Sequence, residues 1–122
     1  MAEGGLRPAL KTPARRSAVP ALLDIQVDRR LLEPVETAAY YTVAEALTNT
    51  AKHSHATTAE IQVTESDRVL SLYVRDNGRG GADFSDGSGL IGLKDRAEAL
   101  GGHLEMHSPA GAGTALGIEL PH

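Results

Sequence analysis

Three polar, glycine-bearing motifs arrive in one order along this chain, and they limit its fold more than any other feature. Glu45, Asn49, Lys52 and His53 come first, at offsets of four, seven and eight. Asp76-Asn77-Gly78-Arg79-Gly80 follows, at the end of an alternating apolar run. Gly87-Ser88-Gly89-Leu90-Ile91-Gly92 is third and runs straight into a helical pattern. A fold that uses all three must bring a helix face, a strand end and a loop-to-helix junction together. At 122 residues the chain makes one domain, on a prior of roughly 100–200 residues per domain.

The segments between the motifs predict which elements carry them. Residues 1–20 hold glycine, three prolines and several basic residues, with a possible frayed helix end at Gly5-Leu6-Arg7-Pro8-Ala9-Leu10. They are expected to be a linker or the remnant of an upstream element, with the domain proper at 21–122. Residues 21–27 alternate, with Ala21, Leu23, Ile25 and Val27 on one side, as in a half-buried strand. Glu33-Pro34 starts a helix that runs to about Ser54, with Ala39, Val43, Ala46, Leu47 and Thr50 inward. Residues 57–64 and 68–76 read as a hairpin turning at Glu65-Ser66-Asp67. Residues 90–100 read as a helix closed by Gly101-Gly102, and 103–108 and 114–120 as the last two strands. About five strands and two good helices imply an α/β two-layer sandwich, with a mixed, mostly antiparallel sheet and helices on one face.

Composition narrows the function. Aromatics make up only 3% of residues, so the core must be aliphatic. A net charge of -4 argues against a nucleic-acid module, which would show a basic patch. With no cysteine there is no disulfide framework and no thiolate metal site. No apolar run reaches the roughly 20 residues that span a bilayer, and no N-terminal stretch resembles a signal peptide.

Helical geometry puts Glu45, Asn49, Lys52 and His53 on one face. A carboxylate and an amide oxygen one turn apart suit Mg²⁺, which takes oxygen ligands and keeps waters and phosphates in its shell. Lys52 could then reach a phosphate. The alternative is an ordinary solvated helix face.

Leu70, Leu72, Val74 and Asp76 share one strand face, so the strand aims an acid at the edge of its own core. Burying an unpaired carboxylate costs on the order of several kcal/mol, so a partner is expected. An exocyclic amine is one such partner, and accepting from it would select adenine over guanine. The alternative is a strand that stops at Val74, with Asp76-Asn77-Gly78 as a turn.

The third motif matches G-x-G-x-x-G, but the dinucleotide-binding fold needs a strand just before it. Ala82-Asp83-Phe84-Ser85-Asp86 is polar and not strand-like, which argues against that fold. What remains is glycine backbone open to phosphates and a helix N-terminus with free N–H groups. Lys94 and Arg96 add charge, or form an ordinary surface with Lys94 facing Glu98. Taken together, the motifs point to a nucleotide site, and to ATP in particular.

These residues also carry a resemblance. Ala44-Glu45-Ala46-Leu47-Thr48-Asn49-Thr50-Ala51-Lys52-His53 resembles the N box of sensor histidine kinases. Asp76-Asn77-Gly78-Arg79-Gly80 resembles their first glycine box, and Gly87 to Gly92 with Leu93-Lys94-Asp95-Arg96 their second. Gly111-Ala112-Gly113-Thr114 resembles the closing box. From about Ala21 onward the chain is similar to the GHKL ATPase superfamily, and to its nitrate- and redox-sensor branch of two-component kinases.

The resemblance implies an ATP-binding catalytic domain with Mg²⁺ on Asn49, supported by Glu45. Asp76 would accept from the adenine amino group, with Thr114 nearby through water. Gly78 and Gly80 would shape the adenine pocket, and Lys52 and His53 would contact phosphate. Gly87, Gly89 and Gly92, flanked by Leu90 and Leu93, would close on the phosphates. Transfer would run from ATP to a histidine on a dimerisation domain, then to a response-regulator aspartate. None of the five histidines resembles that acceptor. The expectation is therefore a monomeric fragment or truncated kinase, cytoplasmic, from a parent that is membrane-bound or soluble. Alternatives are an anti-sigma-factor-type serine kinase, a non-catalytic nucleotide-binding interaction module, and a water-activating ATPase with Glu45 as general base.

Overall fold

The alternating apolar runs form five strands in the computed structural model, which describes residues 5–27, 30–51, 55–80 and 90–122. They are β1 (Ala21–Gln26), β2 (Ala59–Ser66), β3 (Val69–Asp76), β4 (His103–His107) and β5 (Thr114–Pro121). One sheet holds them in the order β1-β2-β3-β5-β4. β1 and β2 run parallel, and the other three neighbouring pairs are antiparallel. Parallel neighbours need a crossover, which α2 (Glu33–Asn49) supplies; α3 (Leu90–Ala99) lies between β3 and β4 in the chain.

Register places like with like. Leu23, Ile61, Val74, Leu116 and Met106 form one row across the sheet, and Ile25, Val63, Leu72, Ile118 and Leu104 the next. Both rows face the helices, where Val35, Ala38, Ala39, Val43, Ala46 and Leu47 of α2 and Leu90, Leu93 and Ala97 of α3 are buried. The intervening residues, such as Asp24, Gln62 and Tyr73, are exposed. The helices therefore cover one face only, and the sandwich has two layers, as the sequence pattern implies. Burial of aliphatic side chains, at about 1.5–3 kcal/mol each, holds the layers together without an aromatic core. At the end of α3 the N–H of Gly102 bonds to Ala97 and that of Gly101 to Glu98, the closure that glycine favours at a helix end.

Two local expectations are corrected, and the segment expected as a linker or the remnant of an upstream element carries a helix: Leu6 and Leu10 of α1 (Leu6–Arg16) join the same core. Arg7 ties it to the sheet by donating to the Ile25 carbonyl at 2.7 Å. The β2–β3 turn falls at Asp67-Arg68, one residue beyond the centre of the expected turn, with both residues at positive φ (53° and 63°). That mirror-image turn matches strand twist. β2 begins at Ala59 rather than at Thr57, for a reason that lies in the site itself.

Candidate functional site

Asp76 is the last residue of β3, opposite Ala59 of β2 and Thr114 of β5. The strand reaches it, and its side chain also makes the local turn contact that the alternative reading anticipated. Oδ1 accepts from the Gly78 N–H at 2.9 Å and the Thr114 N–H at 3.3 Å. Oδ2 accepts from the Thr50 hydroxyl at 3.0 Å. A carboxylate offers about four acceptor positions. The described bonds fill three, and the position left over is on Oδ2. Thr114 was expected near Asp76 through water; its backbone N–H bonds to Asp76 directly. Its hydroxyl meets Ser108 Oγ at 2.7 Å.

Thr50 enters the site from the sheet-facing side of α2, where it is 3% exposed. The sequence pattern placed it correctly among core-facing positions but gave no sign that its hydroxyl had a polar partner. Asn77 was missed as well. Its Oδ1 accepts from the backbone N–H groups of Thr57 and Thr58 at 2.9 and 3.0 Å, and its Nδ2 donates to Thr57 Oγ1 at 2.8 Å. One side chain thus takes the backbone donors of 57 and 58, so those residues do not join β2. Asn following a strand-end Asp, with its side chain on the opposite face, is the only sequence signal for this clasp.

Backbone crossings explain two of the glycines. Gly113 has φ 79°, and a Cβ there would stand 2.3 Å from the Asp76 carbonyl oxygen. Gly80 has φ 68°, and its Cβ would stand 2.1 Å from the Pro109 carbonyl oxygen. The loop between β4 and β5 therefore lies directly on residues 76–80, and Gly111 N–H bonds to the Arg79 carbonyl. Gly78 contributes the N–H to Asp76 already described.

On α2, Glu45 and Asn49 are half-buried, and neither side chain has a hydrogen-bond partner among the described residues. Among those residues no three of His, Cys, Asp and Glu gather as a metal cage. Two free oxygen donors one helical turn apart still fit a hard cation that draws its other ligands from water and phosphate. On α3, Gly92 is exposed, and a Cβ there would meet nothing within 4 Å. Leu90 and Leu93 are buried at 4% and 5% exposure, so their side chains pack the core. Arg96 is engaged rather than free: its guanidinium stands 4.8 Å from the centre of the Tyr41 ring. Lys52, His53, Gly87 and Gly89 lie outside the described residues. Of the histidines, His103 stands 3.0 Å from Glu119 and His122 2.7 Å from Glu65.

The arrangement offers one open carboxylate acceptor, two oxygen donors on a neighbouring helix, and open space at Gly92 on α3. Residues 35–122 match the family model described as histidine kinase-, DNA gyrase B-, and HSP90-like ATPase. The signal transduction histidine-protein kinase/phosphatase DegS of Brevibacillus brevis is 35% identical over 95 residues, 75% of this chain and 25% of its own. The nitrate/nitrite sensor protein NarX of Escherichia coli is 34% identical over 124 residues, 95% of this chain and 21% of its own. The chain thus spans between a fifth and a quarter of the length of these curated relatives. Among solved structures, the histidine kinase domain of a blue-light activated histidine kinase from Erythrobacter litoralis superposes with a TM-score of 0.73 at 19% identity. It covers 99% of this chain and 65% of that one. The Acinetobacter baumannii histidine kinase AdeS gives 0.68 at 18%, covering 95% and 60%. At those identities the structural likeness speaks for the fold.

Proposed function

This chain belongs to the histidine kinase-, DNA gyrase B-, and HSP90-like ATPase family, and from that premise we propose that it is the ATP-binding catalytic unit of a sensor histidine kinase. It supplies the ATP γ-phosphate to a histidine on a dimerisation domain of the parent kinase, and a response regulator then receives the phosphoryl group through the full kinase. The relatives at 34–35% identity are named as sensor proteins and histidine kinases, so the serine-kinase alternative draws no support from them.

Asp76 recognises the base. Its one unfilled acceptor position suits a single N–H from the adenine amino group, and three protein donors hold the carboxylate in place. Guanine presents a carbonyl there, which would face a carboxylate with no proton between them. Gly78, Gly80 and Thr114 frame that pocket. Glu45 and Asn49 would hold Mg²⁺, which when bound would neutralise phosphate charge. Lys52 and His53 contact phosphates, and Gly87, Gly89 and Gly92 keep side chains out of the phosphates' way. In the transfer, the bond from the γ-phosphorus to the β,γ-bridging oxygen breaks as one to the acceptor imidazole nitrogen forms, and ADP leaves. The chain's own work is positioning and charge balance. No helix among the described residues is long and apolar enough to cross a membrane; the unit works at the cytoplasmic side of its parent and is monomeric by itself.

The observation that carries this reading is the Asp76 carboxylate, fixed by three donors with one position open. Calorimetric titration with ATP, ADP and GTP, with and without Mg²⁺, tests it on the chain and on Asp76→Asn. Adenine-selective binding that collapses in the variant supports the reading. Failure of the intact chain to bind ATP overturns it.

A further inference from the structure

Arg96 makes no ion pair among the described residues; its guanidinium lies over the Tyr41 ring at 4.8 Å. That is inside the range at which a cation is attracted to a ring face. Tyr41 is itself braced by Tyr40, edge to face, at 5.5 Å and 80°. Tyr41, Glu45 and Asn49 are spaced by four and share one face of α2. Arg96 follows Gly92 by four and Leu93 by three, so these three share one face of α3. Arg96 thus stands one turn from Gly92 and Leu93 on α3, and its guanidinium reaches Tyr41 while the space at Gly92 stays open. The other anchors of α3 are Leu90, Leu93 and Ala97, and apolar burial is not directional. The stacked cation adds a directional contact between the two helices.

We propose that Arg96 and Tyr41 are positioning residues, a joint that sets the first turn of α3 against the Glu45–Asn49 face of α2. Through that turn the joint governs how strongly the site distinguishes ATP from ADP. The inference rests on the nucleotide-site reading above. On that reading Mg²⁺ belongs to the α2 face and the phosphates to the start of α3, and ATP, with one phosphate more than ADP, draws on both; loosening the joint weakens ATP binding and spares ADP. Base recognition, fixed at Asp76 on β3, is untouched.

The test is calorimetric titration of the whole chain with ATP and ADP in Mg²⁺. The variants are Arg96→Met, Tyr41→Leu, the double variant, and the conservative Arg96→Lys and Tyr41→Phe, each with a thermal melt. The preference for ATP over ADP is expected to fall about 2–5-fold in either disruptive variant, the size of an exposed cation–π contact. The double variant should fall no further than either single one, and the conservative variants should keep most of the preference. Unchanged preference, equal loss for both nucleotides, or additive losses overturn the proposal while leaving the nucleotide site intact. A wild-type chain that binds neither nucleotide overturns the site reading, and this inference with it.

Discussion

Thr50 Oγ1 donates to Asp76 Oδ2 at 3.0 Å, joining residues 26 positions apart in the chain. This bond links the end of α2 to the end of β3. It also leaves the carboxylate with one open acceptor position, since Oδ1 already takes two backbone donors. The residue immediately before Thr50 is Asn49, so the bond that orients the acid proposed to read the base also fixes the turn of helix carrying a metal-binding candidate.

Thr50→Val keeps the shape and removes the donor. A hydrogen bond to a charged group contributes about 1.5–3 kcal/mol, part of which the two backbone donors retain. ATP affinity is expected to fall roughly tenfold, with a weaker preference for ATP over inosine triphosphate, both read by calorimetric titration. Unchanged selectivity would mean that Thr50 serves packing alone.

Two glycine substitutions should behave oppositely. Gly113→Ala puts a Cβ 2.3 Å from the Asp76 carbonyl oxygen at φ 79°, and should cost more than about 2 kcal/mol and abolish binding. Gly92→Ala meets nothing and replaces glycine within a helix, where alanine is favoured by up to about 1 kcal/mol. A melt should show unchanged or higher stability, yet ATP should bind more weakly if the open space at Gly92 serves phosphates. Full affinity in Gly92→Ala would remove Gly92 from the site.

Asn77→Ala deletes the three hydrogen bonds that clasp residues 57 and 58 to the end of β3. At about 0.5–1.5 kcal/mol each, and toward the lower end because the site is exposed, the loss should be about 1.5–3 kcal/mol. Urea unfolding would measure it, and hydrogen exchange should rise first at the Thr57 and Thr58 amides.

Glu45→Gln and Asn49→Ala should act on the metal and spare the base. The Mg²⁺-dependent part of ATP affinity is expected to fall by more than about tenfold, while Mg²⁺-free binding stays within twofold of the wild type. Equal losses with and without Mg²⁺ would place these residues elsewhere in the site's chemistry.

The sequence by itself determined the architecture and the order of the site's parts. Alternation marked β1 and β3, the flanking turns set off the other three strands, and the alanine-rich inner stripe of α2 placed its buried face. The alternation in β3 put Asp76 on the core side of the strand. These features are local: side-chain period follows from backbone geometry, and each run states its own face. The tertiary structure decided which side chains meet. Thr50 lies on a helix and Asp76 on a strand, and only the crossover between β1 and β2 brings them within 3.0 Å. Asn77 reads as a turn residue until the segment after α2 is laid beside it. Arg96 reads as a free cation until α3 packs against Tyr41. The first residues read as a linker or an upstream remnant, and the Leu6 and Leu10 of their helix find partners only in the assembled core. Pairings of that kind depend on register and packing between distant segments, and no window of the sequence contains both partners.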